Sequence, residues 1–242
     1  MPLATEQEIK QSYGGRETAA AYIGKRFASE LHRLLHDRQV AAVQQYINRM
    51  RPARILEIAP GPGRVTRDLV PSGLLVCLEY NEGMIEHGRS ACRQALWVRG
   101  DGFRLPFLQG FDLVYSFRFV RHFRRSDRER LYAEIRRVLN PGGAFIFDAV
   151  NERVSWPLRE ANPDEYTIYD EMYHPEALCA ELCQAGFGQV ELNPVQRWYR
   201  WQLRSQVLLG PRANWLNRFV IRALERVPRR NGLEWIVTCR RA

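Results

Sequence analysis

Five short apolar runs punctuate the first two thirds of the chain, at residues 54–59, 74–79, 95–99, 111–117 and 144–149. Each is a near-continuous block rather than a strict alternation. That pattern predicts strands buried on both faces, as in a parallel sheet. Between the runs the apolar spacing becomes helical. It predicts a helix over about 64–70 closed by Pro71-Ser-Gly, a second over Asn81–Ala91 and a third over Ser126–Leu139. The third opens with Asp127 and Glu129 and stops at Asn140-Pro-Gly-Gly, charge and turn signals proper to helix ends. Upstream, residues 17–49 carry a helical period through Phe27, Leu31, Leu34, Leu35, Val43 and Ile47, read as two helices.

Past residue 150 the pattern loosens. Residues 151–172 are polar and aromatic, and a helix follows from Pro175 to Gln184, with Gly186 just past its end. Val190–Leu192 and Leu233–Cys239 read as two further strands. Residues 211–228 form an amphipathic helix, with Leu216, Phe219, Val220, Ala223, Leu224 and Val227 on one face and Arg218, Arg222 and Arg226 on the other. Strands alternating with helices across connections of crossover length imply an α/β fold, a doubly wound, mostly parallel sheet with helices on both faces. A length of 242 residues suits one such domain. Its expected organisation is a helical lid or cap at 1–50, a core at 51–193, and a C-terminal segment at 194–242 that returns to the core as the final strand.

Charge alters the picture at one end only. Residues 194–242 hold eleven Arg and two Glu, which accounts for the whole net charge of +9. Five cysteines, an odd number mostly in apolar contexts, read as reduced thiols of a cytoplasmic protein. Cys179 and Cys183 lie one helical turn apart, and His32 and His36 likewise, but neither pair has a third ligand, so no metal site is expected. No apolar stretch reaches membrane-spanning length, and the start of the chain lacks the apolar core of a leader peptide.

The candidate chemistry begins where the first apolar run ends, in Glu57-Ile-Ala-Pro-Gly-Pro-Gly63. Gly61 and Gly63 let the backbone approach a ligand closely, and a strand, glycine loop and helix together make a crevice at the carboxyl end of a parallel sheet. Further on stand Glu79, closing the second run, then Gly100-Asp101-Gly102-Phe103, then Phe111-Asp-Leu-Val-Tyr-Ser-Phe-Arg-Phe-Val-Arg-His-Phe123. These four motifs, in this order and spacing, resemble the class I S-adenosylmethionine-dependent methyltransferases, in their broad small-molecule group. A nicotinamide-binding enzyme fits less well, because Val65-Thr66 stand where its third glycine is needed.

The resemblance implies a seven-stranded Rossmann-like sheet with an antiparallel last strand, and S-adenosyl-L-methionine as cofactor. It places Glu57, Ala59, Gly61 and Gly63 against the methionine half, with Ala59 replacing a customary glycine. Glu79 would accept the ribose diol, with Tyr80 beside it and Met84 on the adenine ring. Asp101, with Gly102 and Phe103, would accept the adenine amino group. Ser116 and Phe117 would floor the site where sulfonium and acceptor meet, and Tyr22 would fold over the cofactor. His122 matches a position often histidine in this group, and a general base is the role it could take.

The implied partner is a small-molecule acceptor, methylated on oxygen, nitrogen or carbon. Around the tail, Trp198, Tyr199, Trp201 and Trp215 interleave with Arg197, Arg200, Arg204, Arg212 and Arg218. The plainest reading is a cover with its tryptophans in the core and its arginines in water. The alternative is contact through 194–231 with an anionic surface at the inner face of a membrane, and lipid-linked or glycan-type acceptors rank above nucleic acid. A cofactor-binding scaffold without catalysis is the other function class that these residues permit.

Overall fold

The computed structural model describes residues 28–161 and 169–242, and the expected first helix and Tyr22 lie outside them. Helix α1 (Glu30–Met50) starts at a Ser29 cap and ends at Arg51 in the left-handed region. Then follow β1 (Arg54–Ile58), β2 (Leu74–Glu79), α2 (Glu82–Ala91), β3 (Ala95–Arg99), β4 (Phe111–Ser116), α3 (Arg125–Val138) and β5 (Leu139–Asn151). The rest is α4 (Glu152–Ala161), β6 (Met172–Tyr173), α5 (Pro175–Gln184), β7 (Phe187–Val195), α6 (Tyr199–Leu209), α7 (Asn214–Arg226) and β8 (Glu234–Arg241).

The strands form one sheet in the order β3-β2-β1-β4-β5-β8-β7. Strands β1 to β5 are parallel, and β8 runs antiparallel between β5 and β7. The two-residue β6 beside the end of β5 is an eighth strand that the sequence pattern does not signal. Burial on both faces explains the apolar runs. Neighbours Ile55 and Leu56 are both fully buried yet belong to opposite cores, one beneath α1 and α2, the other beneath α3 and α5. The strand order turns at β1 and β4, and the crevice outside their carboxyl ends is the topological switch point.

Two expected helices differ. The segment 64–70 is a run of turns and one 3-10 turn, Thr66–Asp68. Gly63 at φ +78 bends the chain away from an α path and Pro71 closes it eight residues later, too soon for a stable helix. The second, 211–228, is shorter, and α6 precedes it as the partner arm of a hairpin. The hairpin is antiparallel: Ser205 Oγ donates to Asn217 Oδ1 at 2.9 Å, and Gln202 Nε2 to Glu225 Oε2 at 3.0 Å. Its seam is therefore polar. The buried stripe of α7 is Asn217, Ile221 and Glu225, not the apolar face, and Trp215 and Phe219 are 76 % and 67 % exposed. Among the described residues, no helix is long and apolar enough to cross a membrane.

Candidate active site

The loop after β1 begins with Ala59 at φ 54 and continues through Gly61 at φ 57 and Gly63 at φ 78. All three lie in the left-handed region, which suits glycine and costs an alanine roughly 1 kcal/mol. The two glycines serve different ends. A Cβ on Gly61 would meet open space, whereas one on Gly63 would stand 2.5 Å from Cys92 Sγ and 3.3 Å from the Trp97 ring. Gly63 thus packs the loop onto the body of the protein, and Gly61 bares it.

That bare side faces a cavity holding about 1020 Å³ of empty space, mouth included. Its walls include Glu57, Ala59 and Gly61 from the loop after β1, Glu79, Tyr80 and Met84 from the end of β2 and α2, and Asp101, Gly102 and Phe103 from the loop after β3. Phe117, Arg118, Phe119, His122 and Phe123 line the remainder. Gly63 is absent from this wall, as its packing requires. So is Ser116: wholly buried, it donates from Oγ to the Ile58 carbonyl at 2.7 Å and ties β4 to β1 behind the cavity.

Each carboxylate is held in place. Glu79 accepts the N–H groups of Tyr80 at 2.8 Å and Asn81 at 2.9 Å on Oε1, and that of Gly61 at 2.9 Å on Oε2. A carboxylate has about four acceptor positions, so one remains for a ligand. Burial pushes its pKa up, against the three backbone donors. Asp101 Oδ1 accepts the Phe103 N–H at 3.0 Å, an Asx turn that fixes its direction. Glu57 lies deeper, with Tyr115 Oη donating to its Oε2 at 2.9 Å and Thr66 Oγ1 to the same oxygen. Burial raises its pKa to about 7 despite these donors and nearby Arg64. A buried carboxyl that titrates near neutrality is poised to take a cation.

His122, on the 3-10 turn Val120–His122, is buried in the cavity wall. Its Nδ1 lies 2.9 Å from the Tyr169 carbonyl and 3.0 Å from Asp170 Oδ1. Both neighbours are acceptors, so Nδ1 carries a proton, and in the neutral ring the lone pair falls on Nε2. That Nε2 is buried and has no hydrogen-bond partner among the described residues. Asp170 is itself fixed by Arg121 Nε at 2.9 Å and Arg159 Nη2 at 2.8 Å. Against its burial, these guanidinium groups and His122 hold its carboxyl well below the usual range.

Asp170 escapes sequence reading because it lies 48 residues beyond His122, in a stretch without periodicity. His36, half of the histidine pair that lacks a third metal ligand in the sequence, is 5 % exposed. It bridges Asp68, 2.7 Å from Nε2, and Arg64, 2.8 Å from Nδ1, and so ties α1 to the glycine loop. Its burial and Arg64 lower its pKa. No signal short of the contact itself marks that role.

The fit to the cofactor rests on these atoms: three acceptor carboxylates lining one cavity, an open face at Gly61, and apolar Met84 and Phe103 in its walls. Comparison with known proteins agrees. Residues 56–147 match a family model described as a methyltransferase domain. The chain is 33 % identical over 95 residues to a demethylmenaquinone methyltransferase of Beutenbergia cavernae, an alignment over 38 % of this chain and 39 % of the relative. It is 34 % identical over 103 residues to a malonyl-[acyl-carrier protein] O-methyltransferase of Geobacter sulfurreducens, over 40 % of this chain and 38 % of the relative. The aligned chain thus spans less than half the length of either. In fold it is similar to magnesium protoporphyrin IX methyltransferase of Synechocystis with bound S-adenosylhomocysteine, at TM-score 0.65 and 10 % identity over 98 % of this chain and 100 % of that one. Over residues 56–147 the chain is therefore similar to methyltransferase domains, and its fold is similar to that of solved methyltransferases.

Proposed function

We propose that the protein transfers a methyl group from S-adenosylmethionine to a small organic acceptor, with His122 as general base and Asp170 as its positioning residue. The observation that carries this is His122 Nε2, buried without a hydrogen-bond partner among the described residues in the wall of the same cavity that holds Glu79 and Asp101. Glu57 and the Gly61 loop would hold the methionine half, Glu79 the ribose, and Asp101 with Met84 and Phe103 the adenine. Bound there, the cofactor supplies an electrophilic methyl group.

The protein's own share is positioning, desolvation and proton transfer. Phe103 and Phe119 pack edge-on against Phe123, at 4.8 Å and 4.9 Å between ring centroids, and keep water from the wall beside His122. Nε2 takes the proton that an acceptor O–H, N–H or acidic C–H loses on methylation. Asp170 keeps Nδ1 protonated and stabilises the imidazolium that results. The relatives are named for demethylmenaquinone and for malonyl-acyl carrier protein, and these differing acceptors support the class of reaction rather than one substrate.

The test is transfer of a labelled methyl group from the cofactor into fractionated cell extract, lipid and aqueous. Labelling of at least one fraction by the wild type is expected. His122→Ala should lower that rate about 100-fold or more without weakening cofactor binding. Asp170→Asn should shift the pH dependence of the rate, which a purely structural role would leave in place. A protein that binds cofactor but labels nothing is a scaffold, and an undiminished His122→Ala has no base at this position.

A further inference from the structure

Helices α6 and α7 hang from one edge of the sheet, and it is the edge of the active site. The strand β7 ends at Val195 opposite Glu234, where β8 begins, and Glu234 pairs with Val150 near the end of β5. The hairpin between them therefore stands at the carboxyl end of the sheet, the end at which the cavity lies. It docks there through Leu31 and Leu34 at the start of α1, against Ile221.

Its polarity is reversed. Inside, Gln202, Ser205, Asn217 and Glu225 hydrogen-bond to one another and to backbone. Outside stand Trp215 at 76 %, Phe219 at 67 %, Leu208 at 63 % and Trp201 at 56 % exposure. Single exposed apolar residues are ordinary, but large aromatic and aliphatic groups crowded on one hairpin are not. Cations share the face. The Arg204 guanidinium lies 4.9 Å from the Trp201 ring centre, and exposed Arg218 stands at i+3 from Trp215. Residues 197–230 contain nine Arg and one acidic residue, Glu225, whose carboxylate is turned inward.

We infer that this outer face of α6 and α7 docks on an anionic lipid surface. Indole and phenyl groups enter the interface, and arginines reach the phosphates beside them. Charge complementarity selects this occupant over a second copy of the chain, because two such basic faces would repel. The inference deepens the function proposed above: a methyltransferase held with its mouth at a membrane would draw its acceptor from there. Docking itself does not depend on catalysis.

The test is co-flotation of the full chain with phosphatidylcholine vesicles, with and without phosphatidylglycerol, beside calorimetric titration of cofactor into the same samples. Anionic vesicles should carry at least about tenfold more protein than neutral ones at ~0.1 M salt. Trp215→Ser with Phe219→Ser, and separately Arg212→Gln with Arg218→Gln, should each cut the bound fraction about fivefold or more, with cofactor affinity unchanged. Equal flotation with both vesicle types overturns the inference, as does undiminished binding by either double variant. A wild-type dimer that Trp215→Ser with Phe219→Ser turns into a monomer also overturns it, by assigning the face to a second copy. Cofactor binding on the same samples separates failure of docking from failure of the methyltransferase reading.

Discussion

Glu57 and Ala59, two positions apart at the end of β1, bear opposite kinds of cost. For Glu57 the cost is burial, which lifts its carboxyl from the usual 4.5 to about 7. Between those values the folded protein holds a proton that the unfolded chain has released. Stability from this group is therefore full at the acid end of the window and falls as pH rises through it. Against Glu57→Gln in denaturant titrations, the wild type should lose about 3 kcal/mol of relative stability between pH 4.5 and pH 7. A pH-independent difference would contradict the burial argument. At Ala59 the cost is backbone strain, a Cβ at φ 54. Ala59→Gly relieves it at the expense of unfolded-state entropy, so stability should hold or rise by up to about 1 kcal/mol, where most alanine-to-glycine changes lose that much. Thermal unfolding reads the sign. The carboxylates at 79 and 101, marked in the sequence by the family resemblance, both line the cavity. Asp170 was not so marked, since only the folded chain brings it to His122.

The glycine loop makes a prediction at the scale of an element. Gly63→Ala puts a Cβ 2.5 Å from Cys92 Sγ at φ 78, and should destabilise the protein by about 2–3 kcal/mol. Gly61→Ala meets open space at φ 57, so about 1 kcal/mol of strain is expected, together with weaker cofactor binding as the methyl group enters the cavity. Equal effects of the two on stability would remove the distinction between a packing and a baring glycine. The elements themselves were legible to the degree that burial dictated them. The five parallel strands are buried on both sides, so their apolar runs admit little else. Helix α7 misled because amphipathicity names a face without naming its partner. The hairpin satisfies Asn217 and Glu225 inside and turns Trp215 out, an order that the spacing of apolar letters reads backwards.

Across the molecule, the sheet gathers at one edge what the chain scatters over more than 150 residues. Glu57 and Glu79 at the ends of β1 and β2 reach the cavity, and Asp148 on β5 and Glu234 on β8 reach a charge cluster centred on Arg121. Arg121 binds that cluster together, with Nη1 donating to Glu234 at 2.8 Å and to Asp148 at 3.2 Å. The alternating pattern made this topology readable, but the antiparallel insertion of β8 was readable only through the family resemblance, because a strand's letters do not record its direction. The acceptor is legible at neither level, since relatives with a matching core are named for different substrates. The central claim is that the carboxylates of Glu79 and Asp101 hold one nucleoside between them. Calorimetric titration of S-adenosylmethionine and its demethylated product tests it most directly, on wild type, Glu79→Gln and Asp101→Asn. The account predicts saturable binding to the wild type and affinity about 10- to 100-fold weaker in each variant, the worth of a hydrogen bond to a charged group. No heat of binding in the wild type, or variants that bind as tightly as it does, would contradict it.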